Sequence, residues 1–192
     1  RVLPCPIAVI QEGRTVIAYG PVPSRRLGQS LGINNIPPKV CTYSCIYCQV
    51  GQRGRMIRER RSFYQPEDIA AKVAEQLRQA EARNEEVDYL SIVPDGEPTL
   101  DSNLGRLIEV LKTFGLPVAV ITNASLLWMD DVRGDLGAAD WVSVKVDAVT
   151  PEIWKKVNRP LGRFDLDSIL EGIVQFSAEF NGSLNSETMV TN

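Results

Sequence analysis

The 192 residues include no histidine, and that single absence removes whole classes of chemistry. Ser-His-Asp triads, Cys-His nucleophile pairs, HExxH zinc proteases and His-based deaminase centres all need an imidazole. Whatever the chain does must therefore rest on cysteine, carboxylate, lysine or a cofactor. Long apolar runs are also missing. Nothing approaches the ~20 residues needed to cross a bilayer, and Arg1 to Ile10 lacks the long apolar stretch of a secretory leader. The expected setting is cytoplasmic, with no membrane partner. Cysteine is scarce, at four residues, and Cys41, Cys45 and Cys48 fall within one eight-residue stretch. Thiols that close together cannot staple a fold, so they suit metal or catalysis in a reducing compartment.

What is present is an ordinary globular composition, 44% hydrophobic and 23% charged, enough for one sizeable core. The formal net charge is -3, yet Arg53 to Arg61 holds five arginines and one glutamate. That segment carries +4, which leaves -7 for the rest of the chain. Basic charge is thus concentrated directly behind the cysteines. A solvated surface loop is the plainer reading of such a run. The sharper one is contact with RNA phosphates, for which arginine offers several donors at once.

From residue 66 onward, helical and strand-like patterns alternate. Pro66 suits a first helical position, Glu67 and Asp68 suit its positive end, and Ile69, Val73, Leu77 and Ala80 form one stripe, predicting a helix over 66–84. Tyr89 to Val93 reads as a buried strand that stops at Pro94-Asp95-Gly96. Leu104, Leu107, Ile108 and Leu111 mark a second helix, ended by Gly115. Strands over 118–121 and 141–146 flank a short helix over 125–133. A helical turn opens at Thr150-Pro151, a helix covers 165–180, and a final strand is predicted over 184–190. Before these, Arg14 to Ile36 reads as a leading extension plus the first core strand. Strands alternating with helices predict a parallel α/β sheet, either open and doubly wound or a partial or full (βα) barrel. Because a strand with no following helix precedes Asn192, the barrel is expected to be incomplete at its C-terminal end.

The strongest chemical signal is Cys41-Thr42-Tyr43-Ser44-Cys45-Ile46-Tyr47-Cys48, a CxxxCxxC pattern in a loop after the first predicted core strand. Three thiolates on one short loop can bind three corners of an iron-sulfur cubane and leave the fourth iron open. Structural zinc prefers four Cys or His ligands, usually in two separated pairs, and here only Cys5 remains as a fourth thiol. Asp95-Gly96-Glu97-Pro98-Thr99-Leu100 follows the next strand, Thr122-Asn123 the one after, and Lys145 and Asp147 end the fourth. Singly, each reads as an end-of-strand turn or a helix cap. Together they lie at the carboxyl ends of predicted parallel strands, where both barrels and open α/β sheets place their sites.

CxxxCxxC with an aromatic residue, Tyr47, just before the third cysteine resembles the radical S-adenosylmethionine (SAM) superfamily. The resemblance implies a partial (βα) barrel and a [4Fe-4S] cluster on Cys41, Cys45 and Cys48. The open iron of that cluster would bind SAM and cleave it reductively to a 5'-deoxyadenosyl radical. It also implies that Tyr47 lies near the adenine and that Gly96 and Glu97 meet the cofactor's amino group. Thr122, Asn123, Lys145 and Asp147 would serve the ribose hydroxyls or the methionine carboxylate. Asp95 stands where the family turn usually has its first glycine. Gly20-Pro21-Val22-Pro23-Ser24-Arg25-Arg26-Leu27-Gly28, Ser30-Leu31-Gly32-Ile33, Pro37-Pro38-Lys39 and Asn158-Arg159-Pro160 resemble the branch of archaeal wyosine tRNA-modifying enzymes and uncharacterised iron-sulfur oxidoreductases. Those wyosine enzymes carry extra upstream cysteines, where this chain has Cys5. On this reading residues 1–19 are an extension and 20–192 a radical SAM core. Its partners are an external electron donor of flavodoxin or ferredoxin type and tRNA, met through Arg53, Arg55, Arg58, Arg60 and Arg61. The alternative is a non-catalytic iron-sulfur or zinc-binding module.

Overall fold

In a computed structural model of the chain, residues 16–51, 54–162 and 164–190 are described; Cys5 and Arg53 lie outside them. Six strands form the main sheet: β1 (Ala18–Ser24), β2 (Gly28–Ile33), β5 (Tyr89–Ile92), β6 (Val118–Thr122), β7 (Trp141–Lys145) and β8 (Ser183–Glu187), side by side in that order. The short strands β3 (Val40–Cys41) and β4 (Arg55–Met56) pair separately and bracket the cysteine loop. Neighbours from β2 to β8 are parallel, and β1 alone runs antiparallel, forming a hairpin with β2 whose turn is 25–27 and whose register shifts between Tyr19 and Val22.

Because the parallel strands follow chain order, each crossover steps the same way and lays its helix on the same face of the sheet. These helices are α1 (Pro66–Ala82), α2 (Leu104–Lys112), α3 (Asp130–Gly137), α4 (Pro151–Val157) and α5 (Leu166–Glu179), with α1 packed on α2 and α2 on α3. Alternation along the strands then sorts the side chains. Leu31, Ile33, Leu90, Ile92, Val118, Val120, Val142 and Val144 point to the helices and join Ile69, Val73, Leu104, Leu107, Ile108 and Leu111 in one core. The intervening positions form a smaller second cluster: Ser30 bonds Ser91, and Leu27 from the hairpin turn packs on Ala119 and Trp141, with Tyr89 and Ile121 alongside. β1 and β8 are opposite edges of the sheet, so this is an α/β partial barrel, mostly parallel and not closed. No helix among the described residues is long and apolar enough to cross a membrane.

The structure departs from the sequence-based expectation in three places. The leading segment contributes an antiparallel edge strand to an otherwise parallel sheet. The helix expected over 125–133 begins only at Asp130. Asn123 Oδ1 accepts the Ser125 amide at 2.9 Å and Ala124 sits at φ 64°, so a local turn takes the backbone groups that a helix would use. The final strand stops at Glu187 rather than 190. There Thr188 Oγ1 donates to the Val146 carbonyl (2.7 Å) and Met189 N donates to Asp147 (2.8 Å), drawing the chain off the ladder toward the end of β7.

Candidate functional site

Backbone bonding shapes the cysteine loop. Ser44 N donates to the Asn158 carbonyl (3.0 Å), Ile46 N to that of Val157 (2.9 Å), and Leu161 N to that of Thr42 (3.0 Å), so the segment leaving α4 clamps the loop from one side. On the other side Glu97 N donates to the Val40 carbonyl (3.0 Å) and Lys39 N to that of Asp95 (2.6 Å). Gly96 makes this approach possible, since a Cβ there would lie 2.1 Å from the Val40 oxygen. The result is a cavity of about 300 Å³ lined by Cys41, Cys45, Cys48, Tyr47, Asp95, Gly96 and Lys145, among others. Residues predicted from three strand ends thus meet at one opening.

Glu97 is not at that opening. Its carboxylate is fully buried and accepts from Thr99 N (3.1 Å), Thr99 Oγ1 (2.6 Å), Thr122 Oγ1 (2.6 Å) and Asn123 N (2.7 Å). It ties the loop after β5 to the end of β6, and both Glu97 and Thr122 are held inside the protein. Burial raises its pKa, opposed by those four donors. Asn123 lies beneath the cysteines: Nδ2 is 3.5 Å from Cys41 Sγ and 2.9 Å from Thr42 Oγ1, which in turn bonds Ser125 Oγ at 2.7 Å.

A second buried network lies at the end of β7. The Asp147 side chain is 1% exposed; it accepts from Tyr47 Oη, Asn158 Nδ2 (2.6 Å) and Met189 N (2.8 Å). Lys145 Nζ stands 3.9 Å from Asp147 and 4.7 Å over the Tyr47 ring. Burial and the bond to Asp147 push the Tyr47 hydroxyl far up, so it stays a donor. Thr42, Ser125 and Asn158 carry much of this arrangement. Sequence reading assigned them no site role, although Thr42 lies inside the cysteine motif and Asn158 heads Asn158-Arg159-Pro160.

Burial, with the Glu97 charge adding to it, pushes the Cys41 thiol up to about 12, and burial raises Cys45 as well. Both are protonated at neutral pH until a metal displaces the proton. Among the described residues, no three cysteine, aspartate or glutamate side chains converge as the ligands of one ion. Cys41, Cys45 and Cys48 line one cavity, and three thiols there fit three corners of a cubane, each taking a separate iron.

Among the described arginines of the basic segment, Arg60 is bound into the protein itself. Arg60, its side chain 9% exposed, bonds Asp131, Asp135 and the carbonyls of Thr99 (2.9 Å) and Asp101 (2.9 Å). Its guanidinium is therefore engaged within the fold. Arg58 lies over Phe164 (4.7 Å) and Arg61 over Phe63 (5.9 Å), while Arg55 is exposed.

The radical SAM superfamily model matches residues 35–189, taking in every feature just described. The chain belongs to the radical SAM superfamily. Membership implies SAM as cofactor and, typically, a [4Fe-4S] cluster. A UPF0026 protein of Methanocaldococcus jannaschii is 53% identical over 91% of this chain and 54% of its own length. A UPF0026 protein of Synechocystis is 40% identical over 90% of this chain and 63% of its own length. The chain thus spans about half to two-thirds of these relatives. Among solved structures, TYW1 with a lysine-pyruvate adduct bound superposes with a TM-score of 0.61 at 20% identity, covering 82% of this chain and 54% of TYW1. Streptococcus suis SuiB bound to SAM gives 0.57 at 18% identity, covering 82% of this chain and 33% of SuiB. At these identities the likeness is one of fold, that of the radical SAM partial barrel.

Proposed function

We propose that this chain is the cofactor-binding core of a radical SAM enzyme, with Cys41, Cys45 and Cys48 as ligands of a [4Fe-4S] cluster beside bound SAM. The observation that carries the reading is the shared cavity, where the three thiols of one loop face Gly96 after β5 and Lys145 at the end of β7. Cys41, Cys45 and Cys48 would hold the cluster there, and the cluster with SAM would supply one-electron reductive cleavage of the cofactor and, through it, hydrogen abstraction from a substrate. The chain's own part is to hold and position. Backbone groups at Gly96 are within reach of a ligand, Lys145 offers a cation for a carboxylate, and Tyr47 closes one wall with its hydroxyl anchored on Asp147. Glu97 acts from behind, keeping the Gly96 turn and Asn123 in register. An external one-electron donor of flavodoxin or ferredoxin type completes the system. A tRNA substrate would find Arg55 and Arg61, both exposed, rather than Arg60.

The test is anaerobic reconstitution of the full-length protein, followed by dithionite and SAM. The expected product is 5'-deoxyadenosine. An intact cluster that yields none would exclude the enzymatic reading and leave the non-catalytic iron-sulfur module. Colourless protein loaded with zinc would point to the zinc module instead.

A further inference from the structure

Two carboxamides reach the thiols from outside the cysteine loop. Asn123 presents Nδ2 to Cys41 Sγ and Asn158 presents Nδ2 to Cys45 Sγ, both at 3.5 Å. The orientation of each is set by other bonds. Asn123 donates to Thr42 Oγ1 (2.9 Å) and accepts from Ser125 N (2.9 Å). Asn158 donates to Asp147 Oδ2 at 2.6 Å, so both groups facing its Nδ2 are acceptors. Asn158 is 4% exposed and its Oδ1 has no partner among the described residues. The fold leaves that carbonyl unpaired rather than turning the N–H groups away from sulfur and carboxylate. Backbone strain is invested at the same two points. Of the four described non-glycine residues at positive φ, Ala124 (64°) directly follows Asn123, and Arg159 (48°) directly follows Asn158.

We infer that Asn123 and Asn158 are positioning residues that tune the cluster, by N–H···S bonds to two of its three thiolate ligands. This rests on the reading that Cys41, Cys45 and Cys48 carry a [4Fe-4S] cluster. Donation of N–H to a ligand sulfur draws off negative charge and favours the reduced cluster, raising its potential. The two bonds also fix the sulfur positions before iron arrives, from the ends of β6 and α4, so the loop meets the cluster already shaped.

The test uses the full-length protein, reconstituted anaerobically, with the midpoint potential read by redox titration under electron paramagnetic resonance. Asn123→Ala and Asn158→Ala should each move the potential to more negative values, and the double variant further. Wild-type potential in variants with full iron and sulfide content would overturn the inference, whatever their thermal stability. Should a variant fail to assemble a cluster, the wild type itself decides. With asparagine labelled by 15N at the side-chain amide, the reduced cluster without SAM should show 15N coupling in pulsed spectra. Absence of coupling would overturn the inference as well. If the wild type forms no iron-sulfur cluster at all, the proposed function fails first, and the two failures are distinct.

Discussion

The helix-covered face of the sheet and its carboxyl-end rim are built from the same strands but on opposite terms. The face buries Leu31, Leu90, Val118 and Val142 against aliphatic side chains of α1 and α2, and its energy is non-directional. The rim buries Thr42, Glu97, Thr122, Ser125 and Asn158, and almost every polar atom there has a named partner at a named distance. Such networks contribute little net stability per bond but are costly to break. The face therefore decides whether the chain folds, and the rim decides where the sulfur atoms stand.

The comparison is broken most directly at the rim. Cys45→Ala should abolish cluster assembly, read as iron and sulfide content after reconstitution. The unfolding free energy of the metal-free protein should change by no more than ~1 kcal/mol. A variant that unfolds would mean that rim and face are not separable. Leu107→Ala tests the opposite side. This residue is fully buried on α2, and its truncation should cost about 2–5 kcal/mol in denaturant titration, while the fraction that stays folded keeps its cluster.

Asp101 sharpens the comparison through pH. Its side chain accepts from Asn103 N (3.0 Å) and Asn35 Nδ2 (3.2 Å), but burial dominates and lifts its pKa from 3.8 to about 6. The folded protein thus binds this proton more tightly than the unfolded chain does. Its contribution to stability is fully present below pH about 4, and it is lost as pH rises through about 6. The shift corresponds to a change on the order of 3 kcal/mol. Asp101→Asn should flatten the stability profile over that window. The smallest effect is expected at Glu97. Glu97→Gln keeps the shape and the acceptor for Thr99 and Thr122 but sets its NH2 group against the Asn123 amide, costing roughly 1–3 kcal/mol. It should also loosen the Gly96 turn, so that SAM affinity, measured by equilibrium binding to the reconstituted protein, falls more than cluster content.

Much of the face was legible beforehand. The stripe Ile69, Val73, Leu77 and Ala80 predicted 66–84 and the helix runs Pro66–Ala82; the apolar runs at 89–93, 118–121 and 141–146 are β5, β6 and β7 within a residue or two. Periodicity reports burial, and burial is what these elements share. The legible part of the site was its residue list: the three cysteines, Tyr47, Gly96 and Lys145 line one cavity. Roles were less legible. Glu97 reads as a ligand group from its motif, yet it lies fully buried among four donors, and Arg60 reads as a surface cation, yet two carboxylates and two carbonyls hold it. Thr42, Ser125 and Asn158 gave no periodic or charge signal at all.

By itself, then, the sequence determined which segments are strands and helices, that the strands run mostly parallel, and that a cysteine loop sits at their carboxyl ends. Those properties follow from local pattern and from the spacing of thiols along the chain. Only the tertiary structure decided which polar side chains face the cavity and which brace it from behind. That choice turns on hydrogen bonds between residues 25 to more than 100 positions apart, such as Thr122 with Glu97 and Asn158 with Cys45, which no local pattern encodes.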